Sequence, residues 1–228
     1  INMKITYSIL AAGKGTRMGS LTKETNKCLL NYKGKPILGH ILDSIISYTS
    51  EISVVVNYKK DAIMDYCKKS YPNIKFNFIE QKKLNGTADA ISYLQNDSKF
   101  YFITMGDTIY SEESISNFIS EFKKNKQNLI LVDTVKNPEK YGVIYEKNNI
   151  IEKIIEKPKN PKSKIVNLGT YILEKSIFSY IKNTKKSKSG EVYITDTFQN
   201  MIDDGKKFYI HKINKEYKDL TYESDLNQ

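Results

Sequence analysis

The sequence predicts an α/β protein: a Rossmann-like, three-layer α/β/α domain with a mostly parallel central sheet and a β-rich second half. Three observations predict it. Short apolar, β-branched runs alternate with segments of helical periodicity up to residue 135. Several of those runs are apolar throughout, as strands covered on both faces are. Beyond Pro138 the texture changes to period-two strand patterns joined by polar turns.

The elements follow in order. Residues 4–10 form a short β-type run, followed by the glycine-containing loop 13–27. Pro36 opens a helix in which Ile37, Leu38, Ile41, Leu42, Ile45 and Ile46 recur at helical spacing. Residues 52–56 read as a buried strand, 61–70 as a helix and 75–80 as an alternating strand. A helix at 87–94 precedes a second buried strand at 100–105, which ends on Gly106-Asp107. Ser111 is placed to cap a helix running to Phe122, with Glu112 and Glu113 in its first turn. Residues 129–135 are the next strand. In the second half, 141–145 and 150–155 form a hairpin through the polar turn Glu146-Lys147-Asn148-Asn149. A strand at 166–173, a helix at 176–181, a basic loop at 182–190, a helix at 195–202 and a strand at 207–213 complete the reading. No internal period of solenoid length occurs. One domain over residues 3–228 is expected, in two halves, 3–135 and 136–228.

Bulk properties narrow the classes of function. The chain has 228 residues, 39% hydrophobic and 27% charged, which suits a globular core. No apolar run approaches the roughly 20 residues that span a bilayer, so no membrane partner is expected. Cys28 and Cys67 match no metal-ligand spacing, and a reduced, cytoplasmic setting is expected. With two histidines in the chain, histidine-based acid–base chemistry is not expected. The net charge of +10 favours anionic partners. Its lysines are scattered rather than clustered, which points to small anions and not to nucleic acid.

The chemistry-bearing residues begin at the loop after the first strand. Gly13 and Gly15 leave backbone N–H groups open to phosphate oxygens, and Arg17 and Lys27 add fixed positive charge. Met18 stands where a dinucleotide-binding fingerprint needs its third glycine, and no Gly-Lys-[Ser/Thr] follows at Walker spacing. Asp107 ends an apolar strand, where carboxylates of open α/β sheets face the ligand crevice.

Ala11-Ala12-Gly13-Lys14-Gly15-Thr16-Arg17-Met18, then Thr22 and Thr25, then Lys27-Cys28-Leu29-Leu30, resemble the signature loop of the sugar-1-phosphate nucleotidylyltransferases. That family usually has proline before the lysine, where Asn26 stands here. The resemblance continues in order along almost the whole chain. It extends to the glucose-1-phosphate thymidylyl- and uridylyltransferases and to the N-terminal domain of N-acetylglucosamine-1-phosphate uridylyltransferases. It implies that Ala11, Ala12, Gly13, Gly15 and Thr16 bind nucleotide. Gln81 and Gly86-Thr87 resemble the nucleobase segment, with Gly86 leaving room for the base. Asp107 is implied as a nucleotide and Mg²⁺ ligand, and Asp219, in Tyr217-Lys218-Asp219-Leu220, as the second metal ligand. Asp225 looks like a helix cap instead. Tyr141-Gly142-Val143-Ile144, Glu156-Lys157-Pro158 and Asn167-Leu168-Gly169-Thr170-Tyr171 resemble sugar-site segments, as does Gly190-Glu191-Val192-Tyr193-Ile194-Thr195-Asp196. They imply sugar-phosphate contacts from Gly142, Glu156, Lys157, Asn167, Tyr193 and Thr195.

The implied reaction joins a nucleotidyl group from an NTP, UTP or dTTP, to a glucose-1-phosphate or N-acetylglucosamine-1-phosphate type of acceptor, with Mg²⁺ as cofactor. Arg17 and Lys27 would stabilise the triphosphate. Two rivals stay open: a cytidylyl- or guanylyltransferase, and a non-catalytic sensing subunit on the same fold. Self-association into a homo-oligomer is left open.

Overall fold

The computed structural model describes residues 3–188 and 190–227; Ser189, in the expected basic loop, lies outside the described residues. The strands are β1 (Ile5–Leu10), β2 (Asn31–Tyr32), β3 (Lys35–Pro36), β4 (Glu51–Val56), β5 (Lys75–Glu80), β6 (Phe100–Met105) and β7 (Thr108–Tyr110). They continue with β8 (Asn128–Thr134), β9 (Gly142–Lys147), β10 (Ile150–Glu156), β11 (Ile165–Glu174), β12 (Phe208–Lys212) and β13 (Tyr217–Asp219). The helices are α1 (Leu21–Glu24), α2 (Ile37–Ile45), α3 (Lys60–Ser70), α4 (Thr87–Ser92), α5 (Glu112–Asn125), α6 (Ile177–Asn183) and α7 (Ile194–Asp203).

Nine strands form one sheet in the order β5-β4-β1-β6-β11-β8-β12-β10-β9. Strands β5, β4, β1 and β6 are mutually parallel. From β1 the chain moves outward to β4 and β5, then returns to β6 on the other side of β1. This reversal puts a crevice at the carboxyl ends of β1 and β6, where open α/β sheets bind ligands. Beyond it, β11 from the second half runs antiparallel between β6 and β8, and β12 is parallel to β8. The β9–β10 hairpin closes the far edge, with β9 also pairing to β11.

Period-two alternation sends successive strand residues to opposite faces. On one side, Phe100 and Phe102 share a core with Phe118 and Phe122 of α5 and with Ile37, Leu38, Ile41, Leu42 and Ile45 of α2. On the other, Tyr101 and Ile103 share a core with Phe178 of α6 and Phe198 of α7. Helices α2, α3 and α5 therefore cover one face, and α4, α6 and α7 the other. Removing a ring such as Phe118 or Phe198 to alanine would cost about 3–5 kcal/mol, since each is fully enclosed.

Several local expectations are corrected. The β9–β10 turn is a two-residue one at Asn148-Asn149, both left-handed (φ 53° and 63°), and Glu146 and Lys147 belong to β9. Asparagine tolerates that conformation better than most residues, which makes the tight hairpin possible. Helix α4 stops at Ser92, short of residue 94. Helix α7 begins at Ile194, one residue before the expected start, with Tyr193 as its cap residue and no side-chain bond there. Asp225 reaches back from inside its turn to accept from the backbone N–H of Thr221 and Tyr222. The β7–β13 and β2–β3 pairs carry too few residues to show a periodicity and went unanticipated.

Candidate active site

The loop after β1 is built around Lys27. Gly15 has φ +65°, and a Cβ there would lie 2.7 Å from the Cβ of Lys27. Only glycine lets the loop pass so close over the lysine stem while left-handed. The Thr22 hydroxyl ties the loop down by donating to the Gly15 carbonyl at 3.0 Å. Gly13, by contrast, has open space where a Cβ would stand. Ala11 and Ala12 are buried at the strand end, while Thr16 and Arg17 are exposed. Arg17 forms no salt bridge among the described residues.

Asn26 explains how the loop dispenses with proline. Its φ of −66° is the angle a proline ring would impose, and its ψ of 140° is extended backbone that proline also adopts. Side-chain bonds hold it there instead. Its Nδ2 donates to the Tyr58 carbonyl at 2.7 Å, and its Oδ1 accepts from the Cys28 N–H at 2.9 Å.

Asp107 sits across the crevice from this loop, at the end of β6. Its Oδ2 lies 2.8 Å from Lys27 Nζ. Lys27 is nearly enclosed, with 8% of its side chain exposed, whereas Asp107 retains 32%. Antiparallel pairing of β13 with β7 brings the distant carboxylate in: Asp219 is register-opposite Thr108, and the Leu220 N–H donates to the Asp107 carbonyl at 3.0 Å. Burial pushes the Asp219 carboxyl above its ordinary value, and the charge of Asp107 adds to this. The Thr221 hydroxyl, Lys27 and Arg17 act in the opposite direction. Cys28 lies beneath, where burial foremost and Asp107 next push its thiol up to about 12. That protonated thiol is no nucleophile.

The crevice has two adjoining lobes. The first, about 440 Å³, is lined by the 11–17 loop, Lys27, Gln81, Gly86, Thr87 and Asp107, and reaches Glu156, Lys157 and Tyr193. Leu84, an exposed apolar residue at its wall, was not singled out in the sequence because a lone loop leucine carries no pattern. Gly86 does not simply make room for a base. It has φ +99°, and a Cβ would lie 2.8 Å from the Val192 carbonyl oxygen. The 190–193 segment is bonded to this loop through Val192 N–H to the Asn85 carbonyl and Ala88 N–H to the Val192 carbonyl.

The second lobe, about 300 Å³, shares Arg17, Thr87, Asp107, Glu156, Lys157 and Tyr193 with the first and adds Gly142, Asn167 and Asp219. Lys157 is left-handed (φ 43°) at the end of β10, an unusual backbone for a residue with a side chain. Its N–H is held by the Tyr141 carbonyl at 2.9 Å, and its ammonium lies 5.9 Å from the centre of the Tyr193 ring. Asn167 starts a bulge in β11, where pairing with β8 shifts register before Tyr171. Its Oδ1 accepts from the Gly169 N–H and its Nδ2 donates to the Tyr171 hydroxyl. Thr195, expected as a sugar contact, lines neither lobe. It is 1% exposed and donates its hydroxyl to Glu156 Oε2 at 3.0 Å. Gly142 is required by the same packing, since a Cβ there would lie 2.8 Å from Thr195 Cγ2 and 3.3 Å from that carboxylate oxygen.

Comparison with known proteins agrees with this geometry. The family model described as nucleotidyl transferase matches residues 8–225. The bifunctional protein GlmU of Methanocaldococcus jannaschii is 40% identical over 202 residues, covering 87% of this chain and 47% of that protein. The chain thus spans about half the length of the GlmU relatives it matches. The UTP–glucose-1-phosphate uridylyltransferase AglF of Haloferax volcanii is 28% identical over 226 residues, covering 96% of this chain and 93% of AglF. Among solved structures, a putative glucose-1-phosphate thymidylyltransferase from Bacillus anthracis superposes with a TM-score of 0.87 at 28% identity, over 98% of this chain and 93% of that one. The glycine loop, the carboxylates at the switch point and these likenesses converge: the chain belongs to the nucleotidyl transferase family.

Proposed function

We propose that the protein transfers a nucleotidyl group from UTP or dTTP to a sugar-1-phosphate of the glucose or N-acetylglucosamine type, releasing pyrophosphate. The observation that carries this reading is the convergence of Asp107 and Asp219 beside the Lys27 loop. A phosphate oxygen of the acceptor attacks the α-phosphorus of the NTP, and the bond to the pyrophosphate oxygen breaks. That attacking oxygen is already anionic, so the scarcity of histidine is no obstacle. Alignment and charge neutralisation are what the site must supply.

The loop N–H groups at 13–16 bind the triphosphate, with Arg17 and Lys27 neutralising it. Gln81 and Gly86-Thr87 take the base. Lys157 holds the acceptor phosphate between the lobes, and Glu156 and Asn167 orient the sugar hydroxyls, with Tyr193 closing over them. The two aspartates fit Mg²⁺: both offer hard oxygens, and Asp219 is held close to a second negative charge, that of Asp107. When bound, Mg²⁺ supplies Lewis-acid neutralisation of the phosphate oxygens. Lys27 Nζ meanwhile offsets the charge of Asp107. No helix is long and apolar enough to cross a membrane among the described residues. Cys28 and Cys67 are free and buried, which supports a reducing, cytoplasmic setting.

The test is a pyrophosphate-release screen of the common NTPs against a panel of sugar-1-phosphates with Mg²⁺. Release with UTP or dTTP and a hexose-1-phosphate is expected. Silence across the panel would overturn the reading.

A further inference from the structure

The first lobe contains an amide whose polarity is decided by a neighbour outside it. Gln81 is 3% exposed and lines the lobe. Its Nε2 donates to Asp89 Oδ2 at 2.7 Å and approaches the Gly86 carbonyl at 3.5 Å. A carboxylate can only accept, so the amide nitrogen must face Asp89. Both of its hydrogens are then taken up within the protein. Nothing among the described residues donates to Oε1, yet no enclosed side-chain oxygen lacks a partner there. Oε1 therefore opens on the lobe as an acceptor.

Asp89 is half-buried, does not line the lobe and forms no salt bridge among the described residues. Helix α4 carries it on its first turn, and β5 delivers Gln81 just after its last residue. Its one side-chain hydrogen bond among the described residues is the one to Gln81.

We infer that Asp89 is a positioning residue that sets the nucleobase preference by locking Gln81 with its carbonyl oxygen toward the base. The inference rests on the proposed nucleotide site. A base that presents a ring imide N–H, as uracil and thymine do, gains a hydrogen bond. Cytosine presents a bare ring nitrogen at the same place and meets Oε1 lone pair to lone pair. Without the Asp89 carboxylate only the long 3.5 Å contact to the Gly86 carbonyl favours this orientation, and the amide can turn by half and offer its N–H groups instead.

The test is equilibrium binding of UTP and CTP in Mg²⁺, which needs no acceptor sugar. Wild-type protein is expected to prefer UTP by about tenfold or more, the size of one hydrogen bond lost and one buried acceptor opposed. In Asp89→Asn, which can donate as well as accept, the preference should shrink to about threefold or less. The double variant Asp89→Asn with Gln81→Glu should restore it, because a carboxylate at position 81 only accepts. Should Asp89→Asn fail to fold, Asp89→Ser carries the same expectation. Equal weakening of both nucleotides with an unchanged ratio would mean that Asp89 only supports the helix, and would overturn the inference, as would a wild-type protein indifferent to the base. A silent pyrophosphate screen alongside an Asp89-dependent preference would sink the proposed reaction alone.

Discussion

Lys27 and Asp107, 80 residues apart in sequence, meet at 2.8 Å across the mouth of the crevice. The lysine is nearly enclosed and the aspartate only partly so, which makes the pair asymmetric. Removing the aspartate charge strands an ammonium with little access to water. Asp107→Asn is therefore expected to lower stability by about 1 kcal/mol, well short of the cost of a fully buried broken pair, because the asparagine carbonyl still accepts from Nζ and the site is one-third open. On the proposed function, turnover should fall by about 10³-fold or more, since a carboxylate proposed to hold Mg²⁺ is gone. Near-normal turnover in this variant, with unfolding measured in parallel, would sink the metal role.

Asn26 offers a test of how the loop is held. Its φ of −66° suits proline, and the preceding Thr25, at φ −129° and ψ 143°, is already where a residue before proline belongs. Asn26→Pro should therefore keep the loop's shape while losing the side-chain bonds. Asn26→Ala loses the same bonds and regains backbone freedom. Alanine is expected to cost about 1–3 kcal/mol in denaturant unfolding and proline less. The opposite ranking would show that the side-chain bonds, and not the backbone angle, set the loop.

Gly15 and Gly13 should separate structure from binding. Gly15→Ala forces a left-handed alanine and a 2.7 Å contact onto Lys27. It should destabilise by about 1–3 kcal/mol and displace the lysine, lowering turnover as well. Gly13→Ala meets nothing within 4 Å and should unfold like wild type. If the loop cradles phosphate, its KM for the NTP should nonetheless rise by about tenfold, because a methyl group stands where oxygens must approach. Unchanged NTP kinetics in Gly13→Ala would remove the cradle from the reading.

Glu156 predicts a pH dependence. Burial, foremost, and the charges of Asp196 and Glu191 hold its carboxyl above the ordinary glutamate value, while the Thr195 hydroxyl and Lys157 pull it down. The folded protein thus keeps this proton more tightly than the unfolded chain. Stability is lost as pH rises from the ordinary glutamate value through the raised folded one, and the loss is complete above that. Glu156→Gln has no such ionisation. Its stability relative to wild type should therefore climb with pH across the carboxylate range, as read from denaturant midpoints. A difference that stays flat with pH would contradict the raised value.

The strongly periodic elements were legible because their burial is written in their composition. Strands β4 and β6 read as apolar runs since both faces are covered, and α2 and α5 show the one-sided spacing of helices lying on a sheet. Ser111 was recognisable as a cap because its hydroxyl meets the Ser114 N–H locally. Thr195 is the converse case. In the sequence it stands as an implied ligand contact, and only the arrival of Glu156 from β10 gives its hydroxyl a partner within the protein.

By itself, the sequence determined the α/β class, the glycine loop after the first strand, and which carboxylates, lysines and amides were available for the proposed phosphate and sugar chemistry. These are local properties: periodicity, backbone permissiveness and side-chain type act over a few residues. Tertiary structure alone decided that Lys27 pairs with Asp107, that a three-residue ladder carries Asp219 to the same place, and that Asp89 turns the Gln81 amide. Those contacts depend on which segments the fold brings side by side, and strand order in the sheet is encoded by no local pattern.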